Sequence, residues 1–451
     1  MRPVTAFALS PRALLRRFAA VGGTLAAAAC ASDEGPLAPP PLPVLESVSV
    51  SPGAANVLSA TVTVAARDAD SAVVRFGTAG HARDSVAPAV TFQENAADVP
   101  LLGLLSATPY TLQVTVYGNG GSASGEVLHF TTGTLPAGIP SYTAAGSDPS
   151  AGYVAFAAAG YGVAIDNTGR VVWYVRLPDL ATLNFQPQPT NRYYTRATTP
   201  TTPLPWLEID PLGNVTRELG CARGLIARFH DLIALADGSY WLMCDETRTM
   251  DLSAFGGRPD ARVTGTVVQH VGPERQLLFE WSPFDHFSID DLDPGERAGA
   301  NVNWTHGNAI DRDLAGNLLV SFRSLSEITS IDVSTGAVRW RMGGRANQFT
   351  FAEPMPPFRH QHGLRVAPGG ALVLLDNLGE SAGSRAERYS LEEGSHTVQL
   401  LTSLAATPAT VAQLGGTTQI LPNGHFLVAF GNGNRVQEFD ANGSIVWGLQ
   451  G

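Results

Sequence analysis

The chain has 451 residues, 44% of them hydrophobic and only 15% charged, which suits two or three well-packed domains and excludes a disordered or fibrous protein. Its 29 basic residues are all arginine, so a Schiff-base lysine and a phosphate-binding loop with its lysine are both ruled out. A formal net charge of −11 leaves no basic footprint for nucleic acid, and any anionic ligand requires a local cationic pocket.

In chain order, the first element is a targeting segment over 1–30. Arg2, Arg12, Arg16 and Arg17 precede the apolar run FAAVGGTLAAAA, 18–29, which is too short to span a membrane. Small residues, then Cys30, then ASDEGPLAPPPLP resemble a bacterial lipoprotein signal with Cys30 as the lipidated first mature residue; Ala27 stands where that pattern favours Leu. A plain secretory signal is the other reading, and in both the mature protein lies outside the cytoplasm. Residues 31–44 form a Pro-rich, extended linker. Over 45–135, short alternating runs such as ATVTVAARD and SAVVRFGTA predict a small β-sandwich. A Leu-x-x-x-Thr-Pro-Tyr segment, a Gly/Ser loop and a Phe-Thr-Thr strand resemble a fibronectin type III module with Tyr110 as its corner tyrosine.

From 138 to 451 the sequence repeats. DNTGRVVWYV, ERQLLFEWSP, DVSTGAVRWRM and DANGSIVWGL share a turn, a strand and a Trp to pack between sheets; DPLGNVTREL keeps the turn without the Trp. Between them lie hairpins on an inner turn, such as DLIALADGSYWLMC and LRVAPGGALVLLDN. Such recurrence predicts a β-propeller with six blades beginning near 150, 190, 229, 305, 360 and 412, without helices.

Aligned on their turn glycines, the hairpins put His230 eight residues before Gly238 and His362 eight before Gly370. His306 stands ten before Gly316, and Thr417 seven before Gly424. Each begins an inner strand, so three histidines from consecutive blades converge at one end of the central channel. Seven residues after the same glycines come Asp245, Arg323, Asn377 and Gly431, returned beside the strand starts by antiparallel pairing. Arg323 is thereby set near His306, with Asn308 on the same face. Three histidines can bind Zn²⁺, but an arginine among them opposes a cation and favours a sulfate, phosphate or carboxylate oxygen. Arg359 and His360 could add positive potential; for His360 a solvated loop is the preferred reading. Cys221 and Cys244 are the only body cysteines, either one disulfide or two buried thiols that never meet.

NWTHGNAIDRDLAGNLLVSFRSLSEITSIDVSTGAVRWRMGG, with FRHQHGLRVAPGGALVLLDN and GGTTQILPNGHFLVAFGNGNRVQEFD, resembles the bacterial arylsulfate sulfotransferase family. The similarity covers roughly 150–451. The resemblance implies an extracytoplasmic six-bladed propeller that transfers a sulfuryl group between phenols through a sulfated histidine, without a nucleotide sulfate donor, cofactor or metal. It implies His362 as nucleophile; His306, His230 and Arg323 as further catalytic groups; and Asn308 and Thr417 or Thr418 as substrate-binding residues, to which Arg359 is added from its position beside His362. Many members have Asp where this chain has Gly363, and the family's disulfide near the site is not clearly matched by Cys221 and Cys244. Aryl sulfates, phenols and, through Cys30, a membrane are the expected partners; a homodimer is left open. Two other functions compete: a non-enzymatic surface propeller binding a glycan or protein, and a quinone-dependent dehydrogenase. The latter is suggested by STGAVRW, but only some blades carry that motif and no adjacent-cysteine pair is present.

Overall fold

The computed structural model describes residues 39–177, 184–196, 204–352, 358–379 and 383–450, and it contains strands with only short 3-10 turns. The signal, Cys30 and most of the linker lie outside the described residues. Two compact units divide near residue 135.

The first unit packs two antiparallel sheets around one core. Val44–Pro52, Ala60–Arg67 and Ala96–Leu101 form one; Ser71–Thr78 and Pro109–Gly118 centre the other. Strict alternation decides which face is buried: Val62 and Val64 meet Val74, Leu112 and Val114 inside, while the residues between them face out. The Tyr110 hydroxyl accepts the Leu105 N–H at 2.8 Å, pinning the corner five residues upstream.

Among the described residues the second unit is a propeller-like succession of six mainly antiparallel sheets. Their inner strands are Val154–Ala158, Asn184–Gln188, Ile226–Ala234, Gly307–Arg312, His362–Val366 and Thr417–Ile420. Thr143–Gly146, from the beginning of the unit, pairs antiparallel with the final strand Ile445–Gln450, so one sheet is sewn from both ends of the unit. That closure removes an edge that would otherwise recruit other strands. Across the junction of the last and first sheets, the Trp447 indole N–H donates to the Asn167 carbonyl at 2.8 Å, and Glu438 accepts from the Ser150 N–H at 2.9 Å. Trp173 likewise donates to Pro211 in the next sheet's turn at 2.7 Å. At these two positions the recurring Trp thus packs and hydrogen-bonds between sheets, satisfying its one polar atom on burial, whereas the indole N–H groups of Trp281 and Trp340 are buried without a partner among the described residues.

Candidate functional site

Three inner strands break register where the histidines stand. From Ala227 to Leu232 the third sheet's inner strand advances five residues while its partner advances two. The fourth advances two against one between Gly307 and Ala309, and the fifth three against two between His362 and Arg365. Extra residues in a ladder kink the strand and re-aim side chains, and here they turn His230, Asn308 and the His362 turn into one cavity. That cavity has a volume of about 300 Å³. Its wall includes His230, His306, Asn308, His362, Gly363, Thr417, Phe229 and Arg365.

His230 Nε2 lies 3.1 Å from His306 Nε2, and the His230 ring centroid is 6.1 Å from that of His362. His306 holds a left-handed backbone, φ 47, and its Nδ1 is 2.6 Å from the Asn303 amide nitrogen. An amide N–H can only donate, so Nδ1 accepts and the His306 proton sits on Nε2, directed at His230. Among the described residues, no group of three or more His, Cys, Asp or Glu side chains is arranged to hold a metal ion.

The orientation of His362 is fixed more tightly. Its Nδ1 lies 2.9 Å from Asn377 Oδ1 and 3.1 Å from the His360 carbonyl oxygen. Asn377 cannot turn round, because its Nδ2 donates to the Ala412 and Gly415 carbonyls at 2.6 and 2.9 Å. Two acceptors at one ring nitrogen require that nitrogen to carry hydrogen, so the lone pair resides on Nε2. Burial lowers the His362 pKa to about 4, with the Arg323 charge acting the same way and the Asn377 contact opposing; burial also pushes His230 and His306 well below the usual imidazole range. All three rings are therefore neutral near pH 7.

The other expected residues divide. Thr417 lines the cavity, whereas the Thr418 hydroxyl donates to the Leu374 carbonyl of the fifth sheet at 3.0 Å. Asn308 lines it too, with one amide hydrogen on the Gln361 carbonyl at 2.6 Å. Arg323 stands behind the wall; its backbone N–H donates to the His306 carbonyl at 3.0 Å, and its charge depresses His230, His306 and His362. Arg228 and Arg365 are bound to Asp245 and Asp231, but Arg323 has no carboxylate in ion-pair contact among the described residues. Arg359 is exposed and away from the cavity wall. The expectation of a solvated His360 is corrected: its side chain is 13% exposed, because a left-handed backbone at φ 53 folds it inward, and burial lowers its pKa to about 4. Cys221 and Cys244 are joined as a disulfide.

Gly363 follows His362 at φ 63, and a Cβ built there would lie 2.6 Å from the Thr417 Cα. The close backbone of Thr417 leaves no space for an Asp side chain, and the left-handed angle favours glycine. Asp231 and Arg365 escaped the sequence reading. Their two parallel contacts, 2.8 and 3.2 Å, tie the third sheet to the fifth, while Asp231 also accepts the Ile310 N–H of the fourth at 3.0 Å. Adjacency to His230 and His362 was the one signal that could have found them.

A family model described as arylsulfotransferase (ASST) matches residues 222–451, just over half of the chain. The chain belongs to the arylsulfotransferase family. That match spans the sheets carrying His230, His306, His362 and Thr417. No curated protein matches it. Among solved structures, it is similar to a protein of unknown function from Bacteroides caccae at 12% identity, covering 66% of this chain and 92% of that one, TM-score 0.42. It is also similar to virginiamycin B lyase from Staphylococcus aureus at 13% identity, covering 77% and 93%, TM-score 0.36. The Dos1 propeller is similar at 9% identity, covering 86% and 89%, TM-score 0.33.

Proposed function

We propose that this arylsulfotransferase-family protein moves a sulfuryl group from a phenolic sulfate ester to an acceptor phenol through a sulfated His362, without a nucleotide sulfate donor. The observation that carries this reading is the buried Nδ1 contact of His362 with Asn377 and the His360 carbonyl, which leaves a neutral Nε2 lone pair on the cavity wall. In the first step the Nε2–S bond forms and the S–O bond to the aryl group breaks, the bonding pair leaving with the phenolate. Positive charge develops on the imidazole as this happens, and the two oxygens at Nδ1 stabilise it. The His230–His306 pair carries at most one added proton, because each ring and the nearby arginines oppose charge on the other. An anionic ester in the cavity favours that proton, which passes to the phenolate oxygen. In the second step the acceptor hydroxyl returns a proton to the pair, its oxygen attacks sulfur, and the N–S bond breaks.

Arg323 supplies positive potential toward the sulfuryl oxygens, with Thr417 and the remaining Asn308 N–H as donors beside them. Among the described residues Arg365 is the one arginine on the wall, and it is paired with Asp231, in keeping with a simple aryl sulfate. We further propose that the protein is extracytoplasmic and lipid-anchored at Cys30; Cys30→Ser should then leave the membrane fraction, and unchanged fractionation would refute the anchor.

The decisive experiment follows phenol release from 4-nitrophenyl sulfate with and without a second phenol, together with mass analysis of the His362 peptide. Release accelerated by the second phenol, with one sulfuryl group on that peptide before it is added, is expected. Turnover with an unmodified histidine, or a requirement for a nucleotide sulfate, overturns the mechanism.

A further inference from the structure

The second sheet contributes two cavity residues that the transfer chemistry does not use. Asn184 and Gln186 stand two apart on the inner strand Asn184–Gln188, so they share a face, and both line the cavity at 7% and 2% exposure. Asn184 Nδ2 donates to the Phe229 and His230 carbonyls at 2.9 and 2.5 Å, which fixes the direction of its Oδ1. Among the described residues that Oδ1 has no hydrogen-bond partner, and neither has Gln186 Nε2.

Gln188, two residues further along, shows what a purely structural amide does here. Its Nε2 donates to the Leu232 carbonyl at 2.5 Å and its Oε1 accepts the Ala234 N–H at 2.8 Å. Leaving a buried amide atom unpaired is unfavourable, and a chain that satisfies Gln188 so fully keeps Asn184 and Gln186 open for a ligand. The pair presents one acceptor and one donor. A hydroxyl group matches both through a single oxygen: it donates to Asn184 Oδ1 and accepts from Gln186 Nε2. An ether only accepts, a carboxylate only accepts and is repelled by Oδ1, and an ammonium only donates. Phe229 and Leu414 on the same wall give the aromatic ring an apolar surface.

We propose that Asn184 and Gln186 recognise a second hydroxyl on the aromatic substrate, making dihydroxylated or polyhydroxylated aryl rings the preferred class. This rests on the aryl-sulfate reading for the identity of the ring, but its test is binding rather than turnover. Catechol, resorcinol and hydroquinone are titrated calorimetrically into the wild-type protein against their methoxyphenol counterparts, which accept but cannot donate at the second oxygen. At least one isomer should bind tenfold or more tighter than its methoxyphenol. Gln186→Met should weaken that isomer about tenfold while leaving phenol within threefold.

Absence of any such preference in the wild-type protein overturns the proposal without reference to a variant. So does a Gln186→Met protein, shown folded by its melting transition, that weakens phenol as much as the dihydroxybenzene. A hydroxybenzamide that outcompetes every dihydroxybenzene overturns the hydroxyl assignment, since a primary amide also donates and accepts. If the preference holds but no aryl sulfate is turned over, the hydroxyl site stands and the sulfuryl-transfer reading falls.

Discussion

The inner strands of the first and fifth sheets, Val154–Ala158 and His362–Val366, hold corresponding positions in the succession of sheets and differ in nearly every physical respect. The first pairs without interruption from Val154↔Ile165 to Ala158↔Tyr161, carries only apolar side chains, and puts none of them on the cavity wall. The fifth gives up ladder regularity after one residue, takes a left-handed angle at Gly363, and buries His362 against Asn377. The third and fourth sheets break register as well, whereas the second and sixth stay regular on their inner strands and still lend Asn184, Gln186 and Thr417. The repeated architecture sets where the inner strands lie; local irregularity decides which of them bring histidines together. Backbone strain of this kind persists where surrounding structure over-determines it, and functional sites collect it.

The largest effect that could break this contrast lies in the fifth sheet. His362→Ala should abolish phenol release while preserving the cooperative melting transition, and retention of even a tenth of wild-type turnover would refute the nucleophile. Next comes Arg323→Ala, expected to lower kcat/KM, with Arg323→Lys recovering most of the loss because it keeps the charge that acts through space. Chelators should be silent in both proteins; inhibition by chelation with a near-normal Arg323→Ala would mean that the histidines hold a metal.

Asn377→Ala removes the side-chain member of the two acceptors that hold the His362 ring, so kcat should fall roughly 10²-fold, the order expected when a nucleophile's ring is misaligned rather than lost. A KM change with kcat intact would make Asn377 merely structural. The smallest effect is on stability. His362 has its pKa lowered to about 4 by burial, so as pH falls from 6.5 toward 4 the unfolded chain binds protons that the folded one does not. Stability is therefore lost on acidification across that window, and His362→Asn should flatten the slope by up to about 1.4 kcal/mol per pH unit. Unfolding free energies of the wild type and His362→Asn that change equally between pH 6 and pH 5 in chemical denaturation would contradict the neutral, buried imidazole. The regular first sheet offers the control: Phe156→Ala should cost about 3–5 kcal/mol of stability and leave kcat per folded molecule unchanged.

Periodicity in the sequence was enough to determine the all-β class, the recurrence of hairpins and the alternation that buries one face of each strand. The turn glycines Gly238, Gly316 and Gly370 gave a common origin from which His230, His306 and His362 could be aligned, because a two-residue side-chain period carries facing information along a strand. The unequal offset of His306 was visible but had no meaning by itself. Only the tertiary structure decided the rest, because it depends on groups far apart in the chain. Register shifts turn His230 and Asn308 inward, Asn377 meets His362 and so chooses its protonated nitrogen, and Cys221 reaches Cys244. Asp231 finds Arg365 across 134 positions, and Thr417 rather than Thr418 reaches the cavity because the sheet's pleat sends the adjacent side chain to the Leu374 carbonyl. Sequence pattern records local facing. Tautomer, ion pairing and the unmet hydrogen bonds of Asn184 and Gln186 come from contacts between sheets, which no local pattern encodes.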